Sequence, residues 1–206
     1  MNALIDFSMY RSFIEQAQIS RSVYLSSIQH EYISNFLQML VSNILHLYKS
    51  RNQVILFGNG GSSSQASHLA AELLVRYRST DSRPPIRCSC LSSDASVVTA
   101  ISNDYSFSDL FLHQLKTMAN PGDVFIAFTT SGTSMNITKA LDWLSENHPS
   151  NTYLFTGNPN SSLMYNTINV SPVPTLLPTA IAQEYHLFLI HIFCELLELA
   201  YANSPY

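Results

Sequence analysis

Positive charge is scarce in this 206-residue chain: lysine and arginine together number 10, only three of them lysines, against 14 acidic residues, for a net charge of -4. Binding to a nucleic-acid backbone requires clustered positive charge, and no basic stripe exists here, so a nucleic-acid partner is excluded. Charge of either sign is thin. With 12% charged and 46% hydrophobic residues, the chain is apolar for a soluble monomer of its length, which points to surface covered by other subunits. Three cysteines, Cys88, Cys90 and Cys194, make no disulfide framework. Cys88 and Cys90 share one face of a strand and read as small buried hydrophobes in a reducing compartment. The N-terminus lacks the basic start and apolar core of a signal peptide. The most apolar segment, Leu187 to Leu199, is interrupted by His191, Glu195 and Glu198, so no membrane span is expected and the protein reads as cytoplasmic.

Glycine and proline are absent from the first 50 residues, where Phe13, Ala17, Val23, Ile28, Phe36, Leu40, Ile44 and Leu47 recur at roughly helical spacing. This predicts two helices with a break near Ser20 or His30, an arm suited to packing on a partner subunit. Beyond it, strands are expected at Val54 to Phe57, Ile86 to Leu91, Val124 to Phe128 and Thr152 to Phe155, with a weaker one at Thr167 to Val170. Helices are expected after the first glycine cluster and at Ser92 to Ile101, Ser108 to Met118, Met135 to Asn147 and Ala180 to Tyr201. Ser79 to Pro85 reads as a surface loop, and a proline-rich stretch runs through Pro178. The alternation marks an α/β fold, and 206 residues fit one domain without staples.

Residues 54 to 72, VILFGNGGSSSQASHLAAE, organise the rest. A buried strand, the break Gly58-Asn59-Gly60-Gly61 and a helix start carrying Ser62, Ser63 and Ser64 make an anion site, because free N–H groups and the positive end of the helix dipole favour a phosphate. His68 and Glu72 follow at i, i+4 on one helix face, an acid/base or metal pair. Thr129-Thr130-Ser131-Gly132-Thr133-Ser134 repeats the design between another strand and helix, so two loops can face one sugar phosphate beyond the carboxyl ends of the strands. Asn103-Asp104 reads as a helix end or a ligand contact. His30, His46, His113 and His148 stand apart from these motifs and read as surface or packing residues.

The ordered set Gly58-Asn59-Gly60-Gly61-Ser62, His68-x-x-x-Glu72, Arg76-Tyr77-Arg78, Asn103-Asp104, Thr130-Ser131-Gly132-x-Ser134, Thr156-Gly157 and Gln183-Glu184-x-His186 with His191 resembles the sugar isomerase (SIS) domain family, and within it the phosphoheptose isomerases. The resemblance covers nearly the whole chain. It implies a flavodoxin-like three-layer αβα sandwich around a central, mainly parallel five-stranded sheet, as a single SIS domain over 1–206 with 1–50 as a helical oligomerisation segment. The implied activity is interconversion of sedoheptulose 7-phosphate and D-glycero-D-manno-heptose 7-phosphate through an enediol. Implied substrate contacts are Asn59, Gly60, Gly61, Ser62, Asn103, Asp104, Thr129, Thr130, Ser131, Ser134 and Gln183. The implied acid/base pair is Glu72 and His191, and the implied ligands of one zinc ion per subunit are His68, Glu72, Gln183 and His191. Homotetramers with sites shared between subunits are implied as well.

Gln183 and His191 lie about 12 Å apart along a straight helix and roughly 80° apart in direction. One ion therefore contacts both only if Gln183 sits at the start of the helix or another subunit contributes. Three positions depart from the family pattern: Ser63 replaces a histidine, Ala180 an acidic residue and Ile181 a frequent arginine. They leave open a rival of another class, a non-catalytic SIS protein that binds a sugar phosphate or a regulatory partner, as the DnaA initiator-associating protein does. In that relative the positions matching Glu72 and His191 are replaced; both are present here.

Overall fold

The structure, a computed structural model, describes residues 7–27, 30–78, 83–159, 166–169 and 177–203. The readings made for Ile28, Val170, residues 79–82 and the proline-rich stretch 170–176 lie outside these. The arm is two helices, α1 (Phe7–Ser27) and α2 (His30–His46), so the break falls beside His30 and not at Ser20. Then come β1 (Val54–Gly58), α3 (Gly61–Leu74), β2 (Cys88–Cys90), α4 (Ala95–Asp104), α5 (Leu110–Met118), β3 (Val124–Thr129), α6 (Met135–Asn147), β4 (Thr152–Thr156), β5 (Asn166–Asn169) and α7 (Thr179–Ala202).

The strands pair in the order β2-β1-β3-β4, extended at the far edge by β5, and every pairing is parallel. Parallel strands need helical crossovers, which cover both faces, and this explains why β1, β3 and β4 are buried at every position. The pleat then divides their side chains between two cores. Val54, Leu56, Val124, Ile126, Phe128, Tyr153 and Phe155 enter one core with α2, α3 and α7. Ile55, Phe57, Phe125, Ala127 and Leu154 enter the other with α4, α5 and α6. The result is a three-layer αβα sandwich.

Among the boundaries that differ from the expected ones, two do so for evident local reasons. The strand read as Ile86 to Leu91 is only three residues long, because the Ile86 N–H is drawn off the sheet to the Leu73 carbonyl at the end of α3 (3.0 Å). The helix expected from Ser92 starts at Ala95, because the Asp94 carboxylate caps it by accepting from Ser96 N–H (2.8 Å) and Val97 N–H (3.2 Å). Helix α7 is long and apolar enough to cross a membrane by length and composition. Here it is a core helix: Ala182, Tyr185, Leu189, Ile190, Phe193, Cys194 and Leu197 all enter the first core. The three cysteines are free thiols, with burial pushing Cys88 and Cys194 up to about 12.

Since α3 crosses to one face and α6 to the other, the chain parts between the carboxyl ends of β1 and β3, and a crevice opens at this switch point. Gly58 keeps the crevice narrow. A Cβ there would lie 2.8 Å from the Ser62 backbone and 3.0 Å from the Phe128 carbonyl oxygen, and neither can yield as a side chain could. Gly58→Ala is therefore expected to lower stability by about 1–3 kcal/mol, read by denaturant unfolding. An unchanged midpoint would mean that the β1–α3 turn is not held as closely as this.

Candidate active site

The crevice holds a cavity of about 250 Å³ lined by Asn59, Gly60, Gly61, Ser62, Phe128, Thr129, Thr130, Ser131, Ser134, Thr179 and Gln183. Nine of the eleven sequence-predicted substrate contacts meet here. Gly60, at φ 53°, caps α3 with no side chain, and the Asn59 and Gly60 carbonyls accept from the N–H groups of Ser62, Ser63 and Ser64, not from that of Gly61, the first helical residue. Ser134 caps α6, yet its hydroxyl makes no capping bond and is left for a ligand. Thr179 is the first residue of α7. Three helix N-termini therefore open on one cavity that, among the described residues, no Lys or Arg lines, so helix dipoles, backbone N–H groups and hydroxyls are what it could offer an anion. Asn59 and Asn136 lock the two loops together with reciprocal amide bonds of 2.8 and 2.9 Å, and Asn136 is buried.

From the cavity, α3 and α7 run side by side. A Cβ on Gly61 would meet the Gln183 carboxamide at 2.5 Å, which places that side chain against the first turn of α3. One turn on, the Gln65 amide donates to the Gln183 carbonyl. Further along, His68 Nε2 and His191 Nε2 stand 3.0 Å apart, with the rings edge to face, and Glu72 Oε1 lies 3.7 Å from His68 Nε2. Which of these nitrogens donates depends on the tautomer of each ring. The Tyr77 ring flanks His191.

Asn103 and Asp104 are not part of this lining. They are the last two residues of α4, exposed, with the Asn103 amide bonded to the Asp104 carboxylate at 2.8 Å. Of the departures, the Ser63 hydroxyl donates to Ser92 (2.6 Å), Ala180 is exposed, and Ile181 packs against the first core. Sequence reasoning passed over Thr179, Asn136 and Gln65. Thr179 follows Pro178, a usable helix-start signal, whereas Asn136 and Gln65 are polar residues on helices whose burial only the fold reveals.

His68, Glu72 and His191 offer two imidazoles and a carboxylate, donors that zinc takes. Two nitrogens on one tetrahedral zinc sit about 3.3 Å apart at the usual bond length, so these rings would part by only a few tenths of an ångström. Among the described residues no three such side chains already form a ligand sphere. Gln183 lies two turns away on an unbroken helix and is engaged at Gly61, so the donor set that fits in one chain is the trio without it.

A parallel αβα sandwich with an anion cradle at its switch point and a histidine–carboxylate cluster along the adjoining helix defines the class of α/β proteins that hold a small anionic ligand at strand ends. Comparison with known proteins narrows the class. The SIS domain matches residues 20–144. The chain is 36% identical to the phosphoheptose isomerase of Trichlorobacter lovleyi over 77% of this chain and 79% of that one, and 36% identical to that of Shewanella halifaxensis over 89% and 90%. Solved phosphoheptose isomerases from Francisella tularensis (TM-score 0.75, 25% identity, 94% and 98% covered) and Neisseria gonorrhoeae (0.74, 23%, 94% and 100%) share its fold. The chain belongs to the SIS domain family, in the company of the phosphoheptose isomerases.

Behind the cradle, His186 is completely buried against Phe128 and Phe155. Burial drives its pKa down to about 4, opposed only in part by the Thr156 backbone. The unfolded chain takes up this proton near 6.5, so stability is full above that pH and drains as pH falls toward 4, by about 3 kcal/mol in all. His186→Leu is expected to flatten the stability curve between pH 6.5 and 4. Wild-type and variant curves of equal slope across that window would refute the assignment.

Proposed function

We propose that this chain is an aldose–ketose isomerase interconverting D-sedoheptulose 7-phosphate and D-glycero-D-manno-heptose 7-phosphate. The observation that carries the reading is the placement of an anion cradle and an acid/base cluster along one helix. Seven residues of α3 separate Gly61 from His68, about 10 Å of rise. An extended seven-carbon chain with a terminal phosphate spans about the same length, so a sugar held by its 7-phosphate in the cradle brings C1 and C2 to the histidines.

The isomerisation moves a proton between C2 and C1 and hydrogen between the two oxygens, which requires a base at carbon and an acid at oxygen. Glu72 takes the carbon proton, leaving an enediolate, and His191 protonates the carbonyl oxygen as it gains charge. The same groups in reverse complete the transfer. Ser131 and Ser134 hydroxyls and the first N–H groups of α3 and α6, those of Gly61 and Met135, fix the phosphate, so the reacting carbons arrive already oriented. Asn103 and Asp104 belong to the proposal as contacts supplied by a neighbouring copy.

Three further parts complete the proposal. His68, Glu72 and His191 would hold one zinc ion per subunit, which when bound would supply Lewis-acid polarisation of the sugar oxygens; Glu72 and His191 would carry protons only while they are not holding the ion. The protein is a homotetramer, a reading supported by Phe13, Ile14, Ile19 and Val23 exposed on α1 and by an apolar groove of about 620 Å³ between α2 and α7 that includes Leu37, Val41, Ile192 and Leu196. It acts in the cytoplasm, where sugar phosphates are made and consumed. Native mass spectrometry is expected to give four copies and four zinc ions. A monomer would defeat the first expectation, and a metal-free assembly in zinc-supplied buffer the second.

Product formation from sedoheptulose 7-phosphate is expected in the zinc-supplied wild type. It should fall by at least about 100-fold in Glu72→Gln and in His191→Ala, the range a positioned general acid or base contributes. A wild type that binds the sugar phosphate but neither turns it over nor exchanges its carbon proton with deuterated solvent would instead mark a non-catalytic SIS protein.

A further inference from the structure

Beneath the acid/base cluster lies a buried ion pair that the chemistry above does not use. The Arg83 and Glu198 side chains are 1% and 2% exposed, and Arg83 Nε stands 3.2 Å from Glu198 Oε1. Other Arg83 donors reach the end of α3, the Pro84 carbonyl and the Tyr48 side chain. Nη2 donates to the Glu72 carbonyl at 2.6 Å, and Nη1 donates to the carbonyls of Leu73 (3.1 Å) and Pro84 (3.2 Å). The last carbonyls of a helix lack intrahelical partners, and a guanidinium fork suits both their geometry and the negative end of the dipole.

Stability alone does not account for this arrangement. Desolvating two charges consumes most of what their attraction returns, and a well-packed apolar pair commonly serves as well. Its position does account for it. Glu198 lies seven residues beyond His191, on the same face of α7. Through Glu198 and Arg83 that face holds the backbone of Glu72, and through His191 it touches His68. Cys194, buried on the same helix near enough to feel the charges of Glu72, Arg83 and Glu198, adds no charge of its own, since burial pushes its thiol pKa up.

We propose that the Arg83–Glu198 pair is a positioning device that clamps the last turn of α3 to α7 and thereby sets where Glu72 stands relative to His191. Arg83 is a positioning residue: it touches the carbonyl of Glu72 and not the substrate. The inference rests on the isomerase reading for the importance of that distance, but the clamp itself is a matter of structure.

Arg83→Met, Glu198→Gln and the paired Arg83→Met/Glu198→Leu variant test it, through steady-state kinetics on sedoheptulose 7-phosphate and amide hydrogen exchange at the end of α3. Arg83→Met is expected to lower kcat about 10- to 100-fold with KM within about twofold, the signature of misplaced chemistry and not of lost binding. Exchange should quicken at Val75 and Ile86, whose N–H groups bond to the Ala71 and Leu73 carbonyls. The paired variant should regain the wild-type unfolding midpoint while its kcat stays down. Should Arg83→Met fail to fold, Glu198→Gln decides, with an expected loss in kcat of about 3- to 10-fold. Wild-type kcat and wild-type exchange in any folded member of the series would overturn the proposal. A wild type without isomerase turnover would instead defeat the functional reading, and the exchange data would still decide whether the pair holds the helix end.

Discussion

The contact between α3 and α7 is the constraint on which the rest of the site depends, because these two helices start on either side of the ligand cavity and stay together along the length of α3. At one end Gly61 admits the Gln183 carboxamide, in the middle His68 meets His191, and at the other end Arg83 joins the carbonyls of α3 to Glu198 of α7. Each contact alone is modest. Together they fix the offset between two parallel rods, and an offset error of one residue would move a histidine by about 1.5 Å. The core beneath them, with Leu69 and Leu73 of α3 and Leu189, Ile190 and Phe193 of α7, keeps that offset from drifting.

The proposed cradle offers an anion a site without positively charged side chains. With no Lys or Arg among the described residues of its lining, the cavity has three helix N-termini and hydroxyls to offer instead. Such donors are set by backbone geometry, which explains the demands at Gly58 and Gly60 and the Asn59–Asn136 amide pair that holds the two loops in register. The arm follows another logic. Arg21 forks onto Glu184 at 2.6 and 2.7 Å, and the Tyr185 hydroxyl donates to the Arg21 carbonyl, so α1 is pinned to α7 beside Gln183 while its apolar side chains face outward.

Much of this was legible in the sequence. The runs Val54–Phe57, Val124–Phe128 and Thr152–Phe155 are apolar on both faces and bounded by turn residues, so the central strands could be placed nearly to the residue. The glycine and hydroxyl clusters that follow two of them located the cavity. Less legible were features where one group diverts another. Leu73 takes the Ile86 N–H and shortens β2, Asp94 caps α4 and delays its start, and Asn103-Asp104 ends a helix away from the cavity lining.

Local pattern carries the α/β class, the strands, the two loops, and the spacing of His68 and Glu72 on one helix, because each follows from a period or a turn requirement within about twenty residues. Tertiary structure alone decided that His68 meets His191, that Gln183 lies against Gly61 and so apart from the histidine pair, and that Arg83, an unremarkable residue in a polar loop, is buried under Glu72. Those facts depend on how two helices more than a hundred residues apart are laid against one sheet. No local pattern encodes that offset, because the close packing of side chains across the core sets it.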